Sequence, residues 1–334
     1  MGEAAVDEGG PKRELFCLLH KEIISSNLFV GEEKQGKGFA HNLVAALGNE
    51  YYIYGVCCAL AVINGAMGPQ LFCPPVVHYI LHGDIKMVQN TIDNVPNKSL
   101  KCKLQQLSNT SNESVFEKEM SLIVSELHDS VGYISSNLSF QNKEEVLNSV
   151  ALHYIITQNL CEINQFIDGL KSFGVLDVLR RNQNEARAIL QVSHVKLTAE
   201  VVDDLFLFEL SPDGSNRNQN EKAILFNWSQ LLEDVENGLA SSEVDDPYLN
   251  KEVHIEITLE AILAFITGST GIPPLGFSPQ PTIIFDHVNT SKKLHVSTCS
   301  NTLYFPINES LLAYEHFKQD FLYCMLNSLG FGRV

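Results

Sequence analysis

Near its carboxyl end the chain reads LHVSTCSNTLYFP, residues 294–306, and Cys299 is flanked there by Thr298, Ser300 and Asn301. A thiol among hydroxyl and amide side chains differs from one inside an apolar run, because polar flanks leave the sulfur within reach of electrophiles. Such a thiol exchanges acyl groups readily. Attack on a thioester replaces one thiolate by another of similar basicity, so no acid is needed to protonate a departing amine. Passing the acyl group to an amine would be harder, because an alkyl amine is mostly protonated at neutral pH and needs a base or a desolvated setting. Asp286, Glu309 and Asp320 stand in the same part of the chain, and their spacing does not choose among them as bases. His295 is too distant for direct contact if 295–299 run extended, since about 3.3 Å per residue puts it roughly 13 Å from the thiol. Thr298 and Asn301 have two readings, fixing the loop or stabilising an oxyanion, and loop-fixing is the more ordinary use of such residues.

The stretches around this loop carry strand and helix signals in alternation. Val253, Ile255 and Ile257 alternate, LEAILAFI follows as a helix, and TIIF (282–285) and LYF (303–305) read as strands. A last amphipathic helix places Leu311, Tyr314, Phe317, Phe321 and Cys324 at steps of three and four. Upstream the pattern is mostly helical. GGPKRELFCLLHKEI has Pro11 where a first turn tolerates it and turns Leu15, Leu18, Leu19 and Ile23 toward a core. YYIYGVCCALAVING (51–65) is apolar nearly all round, with Tyr52, Val56, Ala59, Leu60 and Ile63 on the face expected to be buried. Pro74 and Pro75 open a helix that Gly83 closes, and 143–190 carry a stripe of Leu160, Ile163, Ile167 and Leu170 with Gly169 and Gly174 as punctuation. Residues 90–142, richer in Asn, Ser and Lys around a helical FEKEMSLIVSEL, read as a smaller, more exposed subdomain. SPDGSNRNQN (211–220) lacks a large apolar side chain and reads as a linker. The fold class expected is α+β: a mostly helical part over 1–210, a hinge at 211–220, and a smaller α/β part over 221–334 that carries Cys299.

Composition narrows the function classes. With 334 residues, 45% of them hydrophobic, the chain can bury a sizeable core. Forty acidic residues against 23 basic ones give a formal charge of −17, which repels a phosphate backbone and argues against nucleic acid as a partner. The sequence opens without a basic segment and apolar run of the signal type, and no apolar run reaches about 18 residues. A cytoplasmic or nuclear protein with no membrane partner is expected. The eight cysteines include no CxxC pair, so free thiols are expected, with no metal and no cofactor. Cys57, Cys58, Cys73, Cys161 and Cys324 lie in apolar runs and are expected to fill the core.

Five stretches in order, GGPKRELF, YYIYGVCCALAVINGAMGPQLFCPPVVHYIL, LAFITGSTGIPPLGF, STCSNTLYFP and the terminal GFGRV, resemble the HECT ubiquitin ligase domain over nearly the whole chain. The resemblance runs toward the divergent vertebrate ligases described as G2/M-phase-specific, which carry PHD-type fingers upstream. It implies two lobes, a helical N-lobe that receives a ubiquitin-loaded conjugating enzyme and a C-lobe with the acceptor cysteine. It also implies ubiquitin, a conjugating enzyme and protein substrates as partners. Carried over by motif, Cys299 is the acceptor thiol, Thr298 and Asn301 support it, and Phe331 is the aromatic near the C-terminus that the family uses. Ser300 stands where the family commonly has an aromatic, 90–142 departs from the usual conjugating-enzyme docking region, and the chain begins inside the first motif, whereas family members generally start a strand and helix earlier. These departures keep open a second class, a scaffold that binds partners without transfer. A cysteine hydrolase is a third, for which His287, His295 and His316 are available without a recognisable signature around them.

Overall fold

The computed structural model describes residues 9–88, 92–126, 139–193, 196–246, 251–288 and 293–328, which fall into two compact units. The first helix, α1 (Gly10–Ile24), crosses the division, which falls after Leu18.

The helical unit comprises Leu19–Ile63 and Gly68–His194. A two-stranded antiparallel ribbon of β1 (Phe29–Val30) and β2 (Gly38–Phe39) leads into α2 (Leu43–Leu47) and α3 (Glu50–Ile63). The helices α4 (Pro74–His82), α5 (Lys98–Asn109), α6 (Glu113–Glu126), α7 (Lys143–Ile155), α8 (Leu160–Leu170), α9 (Val175–Arg181) and α10 (Gln183–Leu190) follow. Local chemistry sets several of their ends. Prolines occupy the first turn of α4, where a missing N–H costs nothing, and Gly83 ends it at φ 70°, donating its N–H to the Tyr79 carbonyl at 2.8 Å. The core is aromatic at its centre: Phe72 stacks on Phe39 at 5.1 Å and meets Phe166 edge-on at 5.2 Å.

The α3–α8 crossing depends on two glycines. A Cβ on Gly169 would strike the Tyr52 carbonyl oxygen and come within 2.9 Å of the Gly55 Cα, and one on Gly55 would meet the Phe166 carbonyl. Gly169 is therefore a contact point inside a helix rather than punctuation, while Gly174 is a true break, at φ 74° with open space around it. The same crossing corrects the buried face of α3. Tyr51, Tyr54, Gly55, Cys58 and Ala59 face the core, and Tyr52 and Ile63 are exposed, because the buried face is the one that carries Gly55, where α8 approaches closely. Leu104, Leu107, Phe116, Met120 and Ile123 join this core, so α5 and α6 each bury one face in it.

The mixed unit comprises Met1–Leu18, Asn64–Met67 and Val195–Val334. Its elements are α11 (Ala199–Asp203), β3 (Leu207–Phe208), α12 (Asn216–Glu236), β4 (Ser241–Asp246), β5 (Lys251–Glu256), α13 (Leu259–Thr267), β6 (Thr282–Asp286), β7 (His295–Ser297), β8 (Thr302–Pro306), α14 (Glu309–Leu312) and α15 (Tyr314–Ser328). Four strands pair in the order β3-β6-β8-β7, with β6 parallel to both β3 and β8 and β7 antiparallel to β8; β4 and β5 form a separate hairpin. Trp228 of α12, fully buried, gathers Phe206, Phe305 and Phe321 around it.

The stretch 211–220 lies inside this unit. Ser215 caps α12 by accepting from the Asn218 N–H at 3.1 Å, and from Asn216 onward the stretch is helix. Glu221, buried, accepts from the Ser211 N–H at 2.7 Å, the Ser211 hydroxyl at 2.6 Å and lies 2.6 Å from His287 Nε2. Burial alone raises the pKa of this carboxyl, but the bonds from Ser211 and His287 outweigh it and hold the group below the ordinary glutamate value.

Gly169→Ala is expected to lower the urea midpoint by the equivalent of about 1–3 kcal/mol through overpacking at the crossing. Gly174→Ala, which meets only the left-handed φ, should cost about 1–2 kcal/mol. Equal stability of the Gly169→Ala chain would show that the crossing has slack. For Glu221 the sign is that of a depressed carboxyl: its stabilisation is present above the unfolded-state pKa and is lost as pH falls through the folded value. Denaturation midpoints measured downward from pH 6 should fall less steeply in the acid range in Glu221→Gln than in the unaltered chain.

Candidate functional site

Strand register puts Cys299 in a turn. His295, Val296 and Ser297 of β7 pair with Tyr304, Leu303 and Thr302 of β8, so Thr298, Cys299, Ser300 and Asn301 form the four-residue connection between them. Asn301 closes the turn at φ 52°, a left-handed conformation that asparagine tolerates better than most residues. Its amide is engaged at both ends. Nδ2 donates to the Pro279 carbonyl at 2.6 Å, and Oδ1 accepts from Arg13 Nη2 at 2.6 Å. Ser300 joins a row of hydroxyls, 2.8 Å from the Ser297 Oγ and 2.8 Å from the Thr302 Oγ1. Cys299 itself is half-buried at the end of a hydrogen-bonded ladder.

Arg13, carried on α1, is the anchor that sequence reasoning missed. It is 5% exposed, and its guanidinium spans three acceptors: Nε donates to the Thr267 carbonyl at 2.8 Å, and Nη2 to the Thr298 carbonyl at 2.5 Å and to Asn301 Oδ1. Hydrogen bonds of charged donors contribute about 1.5–3 kcal/mol each, enough to offset the removal of the cation from water only when several are made. Gly10, at the start of the same helix, has no room for a side chain. A Cβ there would collide with the Thr298 hydroxyl and lie 2.8 Å from the Cys299 nitrogen. The face of α1 turned inward is thus Arg13, Phe16 and His20, while Leu15 and Leu18, expected inside, are exposed. The signal available in the sequence was the spacing of 13, 16 and 20 on one helical face, directly behind the Gly-Gly-Pro turn.

The remaining candidates are dispersed. His295 is exposed and stacks on Tyr304, its partner across the strands, with ring centres 4.6 Å apart. His287 is bound to Glu221, and His316 is exposed on α15. The Asp286 carboxylate accepts from the Val288 N–H, Asp320 accepts from the Ser310 hydroxyl at 2.9 Å, and Glu309 is exposed in the first turn of α14. Phe331 lies outside the described residues. Of the thiols expected in the core, Cys58 and Cys73 are buried and Cys57 and Cys324 half-buried, and burial pushes all four pKa values up, that of Cys73 to about 12. Cys161 is exposed on α8, outside the apolar stripe that its neighbours form, and so is not core filling. Among the described residues there is no group of three or more His, Cys, Asp or Glu side chains that could hold a metal ion, and no helix long and apolar enough to cross a membrane.

No protein-family model matches the chain. It is similar to curated proteins named "G2/M phase-specific E3 ubiquitin-protein ligase": 25% identical to that of Gallus gallus over 326 residues and 25% to that of Homo sapiens over 323. The protein of that name from Macaca fascicularis is 24% identical over 323 residues. Each alignment covers 96% of this chain but only 39–41% of the relative, so the chain spans about two fifths of the length of the curated relatives it matches.

Asn301 gives a direct test of how the turn is held. Asn301→Gly keeps access to the left-handed conformation and loses the two amide bonds, at an expected cost of about 1–3 kcal/mol for the buried partners left unpaired. Asn301→Ala adds the backbone cost, about 1 kcal/mol more. Urea denaturation of the two variants should rank them in that order; the reverse order would show that the turn is not held by its conformation.

Proposed function

We propose that the chain is the catalytic domain of a HECT-type ubiquitin ligase, which takes ubiquitin from a conjugating enzyme as a thioester on Cys299 and delivers it to a lysine of a protein substrate. The observation that carries this reading is the place of Cys299, half-buried in a four-residue turn whose two ends are held by hydrogen bonds of Arg13 and Asn301. Similarity to proteins named as E3 ubiquitin ligases along 96% of the chain supports the same reading. In the first step the Cys299 sulfur attacks the carbonyl carbon of the conjugating enzyme's thioester. The oxyanion collapses with expulsion of the enzyme's thiolate, which recovers a proton equivalent to the one Cys299 gives up. The exchange is close to balanced in energy, so what the protein must supply is orientation and donors for the transient oxyanion. In the second step a neutral lysine amine attacks the Cys299 thioester, a base takes one of its two protons, an amide that keeps the other forms, and the Cys299 thiolate leaves and receives the proton held by the base.

Thr298 and Asn301 act here as supports of the turn, and Phe331 as the C-terminal aromatic that the resemblance assigns to this chemistry. Delivery to two partners requires the Cys299-bearing part, residues 221–334 in the division made from composition together with the first turns of α1 that Arg13 ties to it, to change orientation, and 90–142 is the candidate docking region for the conjugating enzyme. No metal or cofactor enters this chemistry. A cytoplasmic or nuclear location suits a protein whose eight thiols must remain reduced. A scaffold without transfer is the second reading, favoured by Ser300, whose hydroxyl is committed to Ser297 and Thr302 where the family commonly has an aromatic.

Incubation with ubiquitin, activating enzyme and a panel of loaded conjugating enzymes decides between them on non-reducing and reducing gels. A reductant-sensitive ubiquitin adduct that disappears in Cys299→Ala is the expected result. An adduct that persists in that variant would remove the thiol from the mechanism, and no adduct with any panel member would favour the scaffold.

A further inference from the structure

We infer that Arg13 is a positioning residue for the Cys299 turn, acting through Thr298 and Asn301 on the orientation of the reacting thiol; this rests on the acyl-transfer reading of Cys299. The two loop acceptors of Nη2 are the first and last residues of the four-residue turn, so one nitrogen bridges the turn with Cys299 and Ser300 between its attachment points. Nε fixes the other side of the guanidinium to the Thr267 carbonyl at the end of α13. A guanidinium is rigid and planar, so three acceptors held by one group are held in a fixed arrangement, which an ammonium on a flexible stem cannot reproduce.

The contact reaches the thiol residue through the peptide bond. The unit joining Thr298 to Cys299 is planar, with its carbonyl and N–H pointing to opposite sides. By fixing the Thr298 oxygen, Arg13 therefore fixes the direction of the Cys299 N–H and, through the Cα, the cone in which Sγ can lie. Asn301, held at its Oδ1, sets the far end of the turn in its left-handed conformation. Nothing in this role requires Arg13 to touch ubiquitin. The residue acts on geometry, and small displacements of a reacting atom cost on the order of 10²-fold in rate.

The experiment uses the full chain in five forms: unaltered, Arg13→Met, Arg13→Lys, Asn301→Gly and Arg13→Met with Asn301→Gly. Each is checked for folding by thermal denaturation. The single-turnover rate of ubiquitin transfer from a loaded conjugating enzyme is then measured at several enzyme concentrations. Arg13→Met should slow transfer about 100-fold at saturation, with the half-saturating concentration unchanged, and Arg13→Lys should recover only part of the loss. Since both residues act on the same turn, the double variant should be little slower than Arg13→Met alone. Unaltered transfer in folded Arg13→Met, a loss confined to half-saturation, or fully multiplicative effects in the double variant would each overturn the inference.

A parallel measurement separates this inference from the functional reading. Alkylation of Cys299 by iodoacetamide, followed by mass spectrometry with the exposed Cys102 as internal reference, needs no ubiquitin. If the unaltered chain accepts no ubiquitin, the functional reading fails. The positioning role then stands if Arg13→Met changes the Cys299-to-Cys102 rate ratio several-fold and speeds amide exchange at 298–301. An unchanged ratio and unchanged exchange would overturn it.

Discussion

A single buried cation organises the region around Cys299. Taking a guanidinium out of water costs several kcal/mol, and the cost is offset here by a fork of bonds to the Thr267 and Thr298 carbonyls and the Asn301 amide. Those acceptors lie 254, 285 and 288 residues from Arg13 along the chain. The end of α13, both ends of the Cys299 turn and the first turns of α1 are thereby fixed relative to one another. The absence of a side chain at Gly10 belongs to the same arrangement, because the α1 backbone can approach the Cys299 nitrogen only where there is no Cβ.

The sheet supplies the other constraint. A parallel β6–β8 pair buries Ile283, Leu303 and Phe305 against the core around Trp228, and β7 adds to β8 from the opposite direction. An antiparallel pair can be closed by a short turn, whereas a parallel one needs a long crossover. The one tight connection in this ladder is therefore the one that bears Cys299. A thiol placed there is only half-buried, while Cys58 and Cys73, inside the helical core, are kept as neutral thiols by burial.

The buried Glu221 has a similar part at the start of α12, where it draws in Ser211 and His287. Polar stretches such as 211–220 look like connections in composition, yet a carboxylate one residue further on can tie them down. Composition registers the missing apolar side chains and is blind to the bonds.

Where a signal is local, the sequence was sufficient. Pro74 with Gly83 bounded a helix, LEAILAFI and the TIIF and LYF runs appeared as helix and strands, and the polar residues around Cys299 marked a loop, because capping, φ preference and periodicity act over a few residues. Tertiary structure alone decided the rest. Leu15 and Leu18 are outside and Arg13 is inside because the burial of a cation depends on acceptors from distant parts of the chain, which no helical period contains. Gly169 serves as a contact and not a break because its neighbour across the crossing is Gly55, and Cys161 is exposed because its side of α8 faces away from that crossing. Sequence spacing thus marked many of the elements, though not the start of α12 at Asn216, and packing fixed which of their faces became interior.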